Sequence, residues 1–476
     1  MITRFANLFP ASSVSNSIWN TRGPSAFSGF SGRMLILALL FIATPEPARA
    51  WWEHTLITRA ALENMDLSRT VKVESLEGFL KAEGPALAAE LEKMEREFQA
   101  IPAYPPLPEA LRFDPNAEDI RNAFLRAIRV NPETRLLSYV QYVPGTQPAN
   151  CRPLDYRKIT FLKEVDYLKD VPFCSVNAGT MLPARDVIVS GSDEPDYGHD
   201  ISLFEDNDSD SGNQYKFGIQ PFGNPALEYS SQAPFHMGFY HESAVIYAFA
   251  GFLKRTFAQF RALQYLRLAQ FAFRTGHDYW GYRFLGWGLH YVQDLTMPYH
   301  ATVMPSSSSA GMIWINLLNT VGVTGPQASA VQLLSNRHLA LENFQRNLML
   351  HGYREAFNSP DDGRRNDLKD WPAFEAISDT SRDKDYDFNA PGYIRNIIAG
   401  EAAQAAPEID LLLEEFLPES IAHDPDHIYE GVEENENMYR ILLEDGKAKE
   451  LTEILLPLFQ SAGIHTRNYI RMSQKQ

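Results

Sequence analysis

The stretch from Pro234 to Met297 carries the strongest structural signal in the chain: PFHMGFYHESAVIYAFAGFLKRTFAQFRALQYLRLAQFAFRTGHDYWGYRFLGWGLHYVQDLTM. Nearly all of its residues favour helix, and a break is expected at RTGHD. Apolar side chains recur on most sides of these helices, as they do in helices that are buried in a protein core. The stretch therefore predicts helices at the centre of the fold.

The flanking segments extend the same pattern. Residues 51–100 carry apolar side chains at three- and four-residue spacing, and SNRHLALENFQRNLMLHGYREAF predicts a further helix. Prolines interrupt residues 101–185, and residues 190–235 are rich in loop-forming residue types. The chain has no strand–helix alternation and no regular series of short strands. The predicted fold is all-α, a compact bundle of many helices with long loop insertions.

The N-terminal segment has the organisation of a secretory signal. Residues 34–44, MLILALLFIAT, follow Arg33 and precede ARA at residues 48–50. This apolar run is shorter than the roughly 20 residues that span a bilayer, and its flanks are typical of a signal peptide. We expect removal of residues 1–50, with Met34 as an alternative start, so that a secreted or periplasmic chain begins at Trp51. A buried core helix is the other interpretation of this run.

The composition favours a folded, acidic protein. The chain has 476 residues, of which 45% are apolar, and a net charge of −17. The first 50 residues carry four basic and one acidic side chain, so the mature chain would have a net charge of about −20. Such a chain repels nucleic-acid phosphates unless metal ions or a local basic patch intervene. No later apolar run is long enough to cross a membrane.

The two cysteines are Cys151 and Cys174. In an oxidising compartment a disulfide between them is expected, and two free thiols are the alternative. Neither cysteine has the surroundings of a metal ligand.

Two histidine–carboxylate pairs share one spacing. His290 precedes Asp294 by four residues and His338 precedes Glu342 by four, which places each pair on one face of a helix. A proline is expected to end the first helix, with His300 just beyond it. Burial of these side chains without partners is costly, and a metal ion would satisfy all five. Imidazole and carboxylate without thiolate suit zinc in an open catalytic site, although each pair alone also fits an ordinary side-chain contact.

Four segments resemble the zinc-dependent phospholipase C family of bacteria. HYVQDLTMPYHA at residues 290–301 resembles the signature H-Y-x-x-D-x-x-x-P-x-H-A, and RHLALENF at residues 337–344 resembles the element H-x-x-x-E-N-F. GSDEPDY at residues 191–197 is similar to a G-x-x-x-x-D-Y loop, and HTLITRAAL at residues 54–62 to the first helix of the family. The resemblance implies an all-α fold with three zinc ions, which the family shares with zinc nucleases that act on single strands.

The resemblance also implies the ligands. In the family the first residue of the mature chain, a tryptophan, binds zinc through its free amine and its carbonyl oxygen, and Trp51 has this place here. The implied groups are Trp51, His54 and Asp294 for one zinc, Asp196, His236, His290 and again Asp294 for a second, and His300, His338 and Glu342 for the third. Asp196 would also be the catalytic residue that orients the attacking water or accepts its proton.

Two assignments stay open at this point. Asp193 competes with Asp196 within GSDEPDY. The family has a histidine followed directly by two aromatic residues and an aspartate, whereas FHMGFYHES separates His236 from the aromatic pair, so His241 competes with His236. The remaining histidines match no motif and are expected to be structural or exposed: His199, His277, His351, His423, His427 and His465.

The expected function is that of a secreted zinc-dependent phospholipase C that hydrolyses glycerophospholipids such as phosphatidylcholine to diacylglycerol and a phosphorylated head group. Glu342 favours lipid, because the related nucleases usually have aspartate at this place. A single-strand nuclease and an exported zinc-binding helical protein without activity are the alternatives. The expected partner is a phospholipid surface and not a nucleic acid. Residues 51–476 are expected to form one helical catalytic domain with insertions near 101–185 and 200–233.

Overall fold

The computed structural model describes residues 54–163, 165–306, 311, 324–358, 371–431 and 434–474. It is 60% helical and only 3% strand, which confirms the all-α prediction. Trp51 and the expected signal segment lie outside the described residues. None of the helices in the described ranges is both long and apolar enough to cross a membrane.

The helices of the described ranges follow one another in chain order: α1 (His54–Ala61), α2 (Leu76–Phe98), α3 (Ile120–Ala127), α4 (Ala184–Gly191), α5 (Asp210–Tyr215), α6 (Ala233–His236), α7 (Ala244–Phe249), α8 (Ala258–Arg274), α9 (Asp278–Asp294), α10 (Pro298–Ala301), α11 (Gly325–Asn358), α12 (Pro372–Ser378), α13 (Ala399–Phe416), α14 (Glu419–Ala422), α15 (Met438–Glu444) and α16 (Ala448–Gln474).

Helices α8 and α9 form the centre of the fold, as the opening stretch predicts. They are antiparallel neighbours joined at the expected break, where Gly276 adopts a φ of +84° that favours glycine. The backbone N–H of His277 donates to the carbonyl of Ala272 at 2.8 Å and closes the turn. Every residue of α9 from Tyr279 to Asp294 is buried.

The expectation of helix is wrong for most of residues 237–257. Only Ala244–Phe249 and a short turn at Gly251–Lys254 are helical there. A Cβ on Gly238 would lie 2.2 Å from the Leu295 side chain, so the backbone passes too close to its neighbours for an ordinary helix side chain. The N–H of Gly238 instead donates to the carbonyl of His300 at 2.7 Å. Packing against the end of α9 thus overrides the local preference for helix.

Four short strands accompany the helices. They are β1 (Thr70–Lys72), β2 (Tyr139–Gln141), β3 (Phe173–Ser175) and β4 (Met181–Pro183). β1 pairs with β4, with Val71 opposite Leu182, and β2 pairs with β3, with Val140 opposite Cys174; both pairs are antiparallel. The disulfide Cys151–Cys174 is formed, with Cα atoms 5.3 Å apart, and it links the loop at Cys151 to β3 within residues 101–185.

Apolar side chains pack into two large clusters. The first surrounds α8 and α9 and includes Trp280 and Trp287. The second joins α1, α11, α12 and α16. The backbones of α4 and α9 pack closely against each other. A Cβ added to Gly286 would lie only 2.6 Å from the carbonyl oxygen of Ile188. This contact brings the chain after α4 against the C-terminal half of α9.

Candidate metal centre

The predicted ligands come from several helices and from one short helical turn. Trp51 is outside the described residues, and the other eight come from six elements of the fold. They are His54 in α1, Asp196 in the short helical turn Glu194–Tyr197, His236 in α6, His290 and Asp294 in α9, His300 in α10, and His338 and Glu342 in α11. His300 lies beyond the end of α9, as expected, but the proline at 298 begins the short helix α10 rather than ending α9, which already ends at Asp294.

Within the described residues, three groups of these side chains could hold a metal ion, because their ligand atoms lie within 4.8 Å of one another. The first comprises His54, Asp196 and His290. The imidazole rings of His54 and His290 are 3.9 Å apart, and His290 Nε2 lies 3.5 Å from Asp196 Oδ1. The resemblance implies a different group, in which His54 joins Trp51 and Asp294, and His54 Nε2 lies 3.7 Å from Asp294 Oδ1.

The second group comprises His236, His290 and Asp294. His236 Nδ1 is 3.0 Å from Asp294 Oδ2 and 3.0 Å from His290 Nε2. The competitor His241 is exposed, and its Nε2 lies 2.8 Å from the carbonyl oxygen of Arg395. The geometry therefore brings His236 and not His241 into the cluster.

The third group comprises His300, His338 and Glu342. His338 Nε2 is 2.8 Å from Glu342 Oε1 and 3.1 Å from His300 Nε2. His300 Nε2 lies 3.2 Å from Glu342 Oε1. One turn of α11 thus supplies two ligand atoms, as the four-residue spacing predicts, and α10 supplies the third.

Asp294 lies between the groups. Its Oδ1 is 3.7 Å from His54 Nε2 and 3.3 Å from His300 Nδ1. Its Oδ2 is 3.0 Å from His236 Nδ1 and 3.5 Å from His290 Nε2. A single carboxylate therefore faces histidines of all three groups, whereas the resemblance implies that Asp294 is shared by the first two sites only.

Several polar atoms of this cluster are buried and make no hydrogen bond of good geometry within the described residues, although charged groups of the cluster lie close to some of them. They are His54 Nε2, Asp196 Oδ1, His236 Nε2, both carboxylate oxygens of Asp294, His300 Nδ1 and Glu342 Oε2. Buried polar atoms are nearly always paired, and each unpaired one costs about 1–3 kcal/mol. Their concentration at one place, on imidazoles and carboxylates, is what a metal-binding site requires.

Asp193 has a structural role that separates it from Asp196. Its Oδ1 accepts from the backbone N–H of Thr55 at 3.1 Å, and its Oδ2 accepts from Gln141 Nε2 at 2.6 Å. These bonds fix the start of α1, and Asp193 belongs to none of the three potential metal groups of the described residues. Asp196, by contrast, points an oxygen at His236 and His290, and 19% of its side chain is exposed.

The pattern of charge explains how so many titratable groups share one buried site. Burial lowers the pKa of His54 to about 4 and that of His290 well below its ordinary value. Burial alone would raise the pKa of Asp294, but the histidines around it, His290 first, hold the pKa well below the ordinary range. Burial thus favours the neutral form of His54 and His290, which is the protonation state in which imidazole binds metal ions.

The carboxylates next to α10 stabilise positive charge on His300. Burial would lower the pKa of His300, but Asp294 and Glu342 outweigh it and raise the pKa to about 10. Burial, followed by Asp294 and Asp193, raises the pKa of Asp196 well above its ordinary value. Carboxylates that crowd together in this way are stabilised by a cation, either a proton or a metal ion.

Residues that the sequence did not single out orient the histidines. His54 Nδ1 lies 2.9 Å from Gln293 Oε1, while Gln293 Nε2 donates to the hydroxyls of Thr58 at 2.9 Å and Thr466 at 3.0 Å. In this orientation the amide oxygen faces the ring, and it accepts from His54 when Nδ1 carries the proton. This arrangement leaves the lone pair of His54 Nε2 for a metal ion. Gln293 stands next to Asp294 within the motif, which is the one local signal for it.

Two further residues, Ser192 and Asp200, contact the histidines His290 and His236. His290 Nδ1 lies 2.8 Å from the carbonyl oxygen of Ser192, so Nδ1 carries the proton and Nε2 faces the cluster. Asp200 accepts from Arg261 Nε at 2.8 Å and from the hydroxyl of Tyr291 at 2.5 Å, and its Oδ2 lies 3.7 Å from His236 Nε2. Asp200 follows Asp196 by four residues, but no spacing rule identifies it as a partner of His236.

The remaining histidines lie outside the three groups. His199 packs edge-on against Trp287, His277 pairs with Glu74, and His465 contacts Glu401. The others are distributed over α11 and the loops after α14: His351, His423 and His427. None of the six belongs to a potential metal group in the described residues, as expected.

Comparison with known proteins adds no assignment. No protein-family model, curated protein or solved structure matches the chain.

Proposed function

We propose that the protein is an exported zinc-dependent phosphodiesterase that acts as a phospholipase C on glycerophospholipids. The observation that carries the proposal is the set of buried imidazole and carboxylate atoms that lack partners and converge around Asp294. A cluster of this composition is costly to bury unless cations occupy it. The disulfide Cys151–Cys174 is compatible with an oxidising compartment outside the cytoplasm.

Zinc suits the donor set. All eight described ligands offer imidazole nitrogen or carboxylate oxygen, and zinc accepts both at tetrahedral sites. His300, His338 and Glu342 would hold one ion, and the other described ligands, with Trp51, would hold two more that share Asp294. Zinc ions bound there would lower the pKa of a water molecule and offset charge on phosphate oxygens.

The chain's own groups then perform the positioning. Asp196 would orient the attacking water and take up its proton, because it is the one partly exposed carboxylate among the described ligands. Gln293 would hold His54 in the tautomer that presents Nε2, and the Ser192 carbonyl would do the same for His290. Hydrolysis of the glycerol-side phosphoester bond would give diacylglycerol and a phosphorylated head group.

The choice of a lipid substrate over a nucleic acid rests on the motifs and on charge. Glu342 within RHLALENF has the residue type that the resemblance associates with the phospholipases. A net charge of −17 opposes the approach of a polyanion. A single-strand nuclease is the second candidate, since the same metal chemistry cleaves any accessible phosphodiester.

The proposal is tested with protein that begins at Trp51. The protein is incubated separately with phosphatidylcholine vesicles and with single-stranded DNA, each with and without a zinc chelator. We expect chelator-sensitive release of diacylglycerol and intact DNA. The matched variants are His236→Ala, which removes a predicted ligand and should abolish release, and His241→Ala, which alters an exposed histidine nearby and should not.

Three results would contradict parts of the proposal. Cleavage of DNA with untouched lipid would establish the nuclease instead. Bound zinc without hydrolysis of either substrate would favour a non-catalytic zinc protein. Equal loss of activity in the two histidine variants would refute the selection of His236.

A further inference from the structure

Helix α7 (Ala244–Phe249) is an apolar helix that the fold leaves at the surface. None of its residues is buried, and Val245 and Phe249 are 42% and 56% exposed. The surrounding segment from 243 to 253, SAVIYAFAGFL, contains no charged residue. Isolated exposed apolar side chains are common, but several of them together on one helix mark an interaction site.

Helix α7 is attached to the two segments that flank the metal centre. The hydroxyl of Tyr247 donates to the carbonyl of Phe239 at 2.6 Å, three residues after His236. The carboxylate of Glu242, just before the helix, accepts from the backbone N–H of Val303 at 2.8 Å, in the loop that follows α10. A molecule bound against α7 would therefore be next to the elements that carry the ligands.

The segment that follows Glu242 differs in charge from the chain as a whole. In a chain with a net charge of −17, residues 243–257 contain no acidic side chain and two basic ones, Lys254 and Arg255. Arg255 donates to the carbonyls of Phe217 and Ile219, whereas Lys254 is exposed, with its Nζ 4.9 Å above the ring of Tyr247. An apolar helix beside an exposed ammonium group complements a lipid surface, where acyl chains lie below a layer of phosphates.

We propose that α7 docks on the surface of a zwitterionic phospholipid bilayer, with Val245 and Phe249 inserted among the lipids and Lys254 at the phosphates. This inference rests on the proposed phospholipase function and adds the surface through which the enzyme meets its substrate. A second copy of the chain fits the helix less well. Six residues span about 9 Å, whereas a stable interface covers about 800 Å² on each partner.

The test compares two double variants, each of which replaces two exposed apolar residues by serine. Val245→Ser with Phe249→Ser alters α7. Leu411→Ser with Leu443→Ser, at positions that are 57% and 52% exposed on α13 and α15, is the matched control. Binding is measured by sedimentation with vesicles of a non-hydrolysable phosphonate analogue of phosphatidylcholine. Hydrolysis is measured separately on a short-chain phosphatidylcholine that is monomeric in solution.

We expect the α7 variant to bind vesicles at least about tenfold more weakly. Each large apolar side chain that moves from water into lipid strengthens binding by a factor of about ten. The control variant should bind as the wild type does, and both should hydrolyse the monomeric substrate at the wild-type rate. Unchanged vesicle binding by the α7 variant would overturn the proposal, as would an equal loss in both variants. A dimer that only the α7 variant disrupts, with vesicle binding unchanged, would assign the helix to self-association.

The two proposals can fail independently. If the wild type hydrolyses the monomeric substrate but does not bind the vesicles, the activity stands and the docking surface is refuted. If it binds the vesicles through α7 but hydrolyses no phosphatidylcholine, the docking surface stands and the proposed activity is refuted.

Discussion

Replacement of Gln293 by leucine should weaken one zinc site without touching a ligand. Gln293 is fully buried and accepts from His54 Nδ1 at 2.9 Å while donating to Thr58 and Thr466. Leucine has a similar volume but no polar atoms, so His54 Nδ1–H and two hydroxyls lose their partner. Loss of such an outer partner typically lowers metal affinity about 10- to 100-fold. Each buried group left unpaired also costs about 1–3 kcal/mol of stability.

The control is Thr466→Val. It removes the hydroxyl on the far side of Gln293, at 3.0 Å, but leaves the contact between Gln293 Oε1 and His54 in place. This variant should lose about 1 kcal/mol of unfolding free energy and little zinc affinity. Affinity is measured by competition with a coloured chelator at a temperature where all proteins are folded. We expect one of the three zinc equivalents to weaken in Gln293→Leu alone.

Two results would refute this reasoning. Wild-type affinity for all three zinc equivalents in Gln293→Leu would mean that His54 needs no orienting partner or is not a ligand. An equal loss of zinc in Thr466→Val would mean that the effect comes from general destabilisation.

Three further predictions concern stability. A zinc chelator should lower the melting temperature by about 10–15 °C, since three sites that each stabilise by about 4 kcal/mol at a thousand times their dissociation constant act against an unfolding entropy of about 0.9 kcal/mol/K; calorimetry that shows no shift would contradict bound metal. Glu74 and Glu83 outweigh the effect of burial and raise the pKa of His277 above its ordinary 6.5. This contact therefore stabilises the protein below about pH 6.5 and the contribution disappears as the pH rises, so His277→Gln should cost less than about 1 kcal/mol at about pH 5.5 and nothing at about pH 8.5; thermal melts with equal losses at both values would refute this. Replacement of Cys151 and Cys174 by serine should cost about 3 kcal/mol for a separation of 23 residues, as measured by denaturant unfolding, and unchanged stability would show that the bridge contributes nothing.

The sequence predicts those parts of the fold and site that depend on local spacing. The apolar pattern of α8 and α9, the break between them and the helix that carries His338 and Glu342 follow from residues three or four apart. The helical spacing of His290 and Asp294 likewise predicts a shared face. These predictions need no knowledge of what packs against the helix.

Contacts between distant residues are not accessible in this way. Gln293 and His54 are separated by 239 positions, and no local pattern pairs them. The apolar segment around Phe249 looks like core in the sequence, but the structure places it at the surface. The choice between His236 and His241 also depends on how the chain folds around Gly238, which spacing alone does not determine.

The most direct test of the proposed centre is anomalous X-ray diffraction at the zinc edge on crystals of the protein that begins at Trp51. We expect three peaks in the space enclosed by His54, His236, His300 and Glu342, with Asp294 contacting two of them. The absence of peaks at these residues in zinc-containing crystals, or zinc bound only elsewhere on the chain, would contradict it.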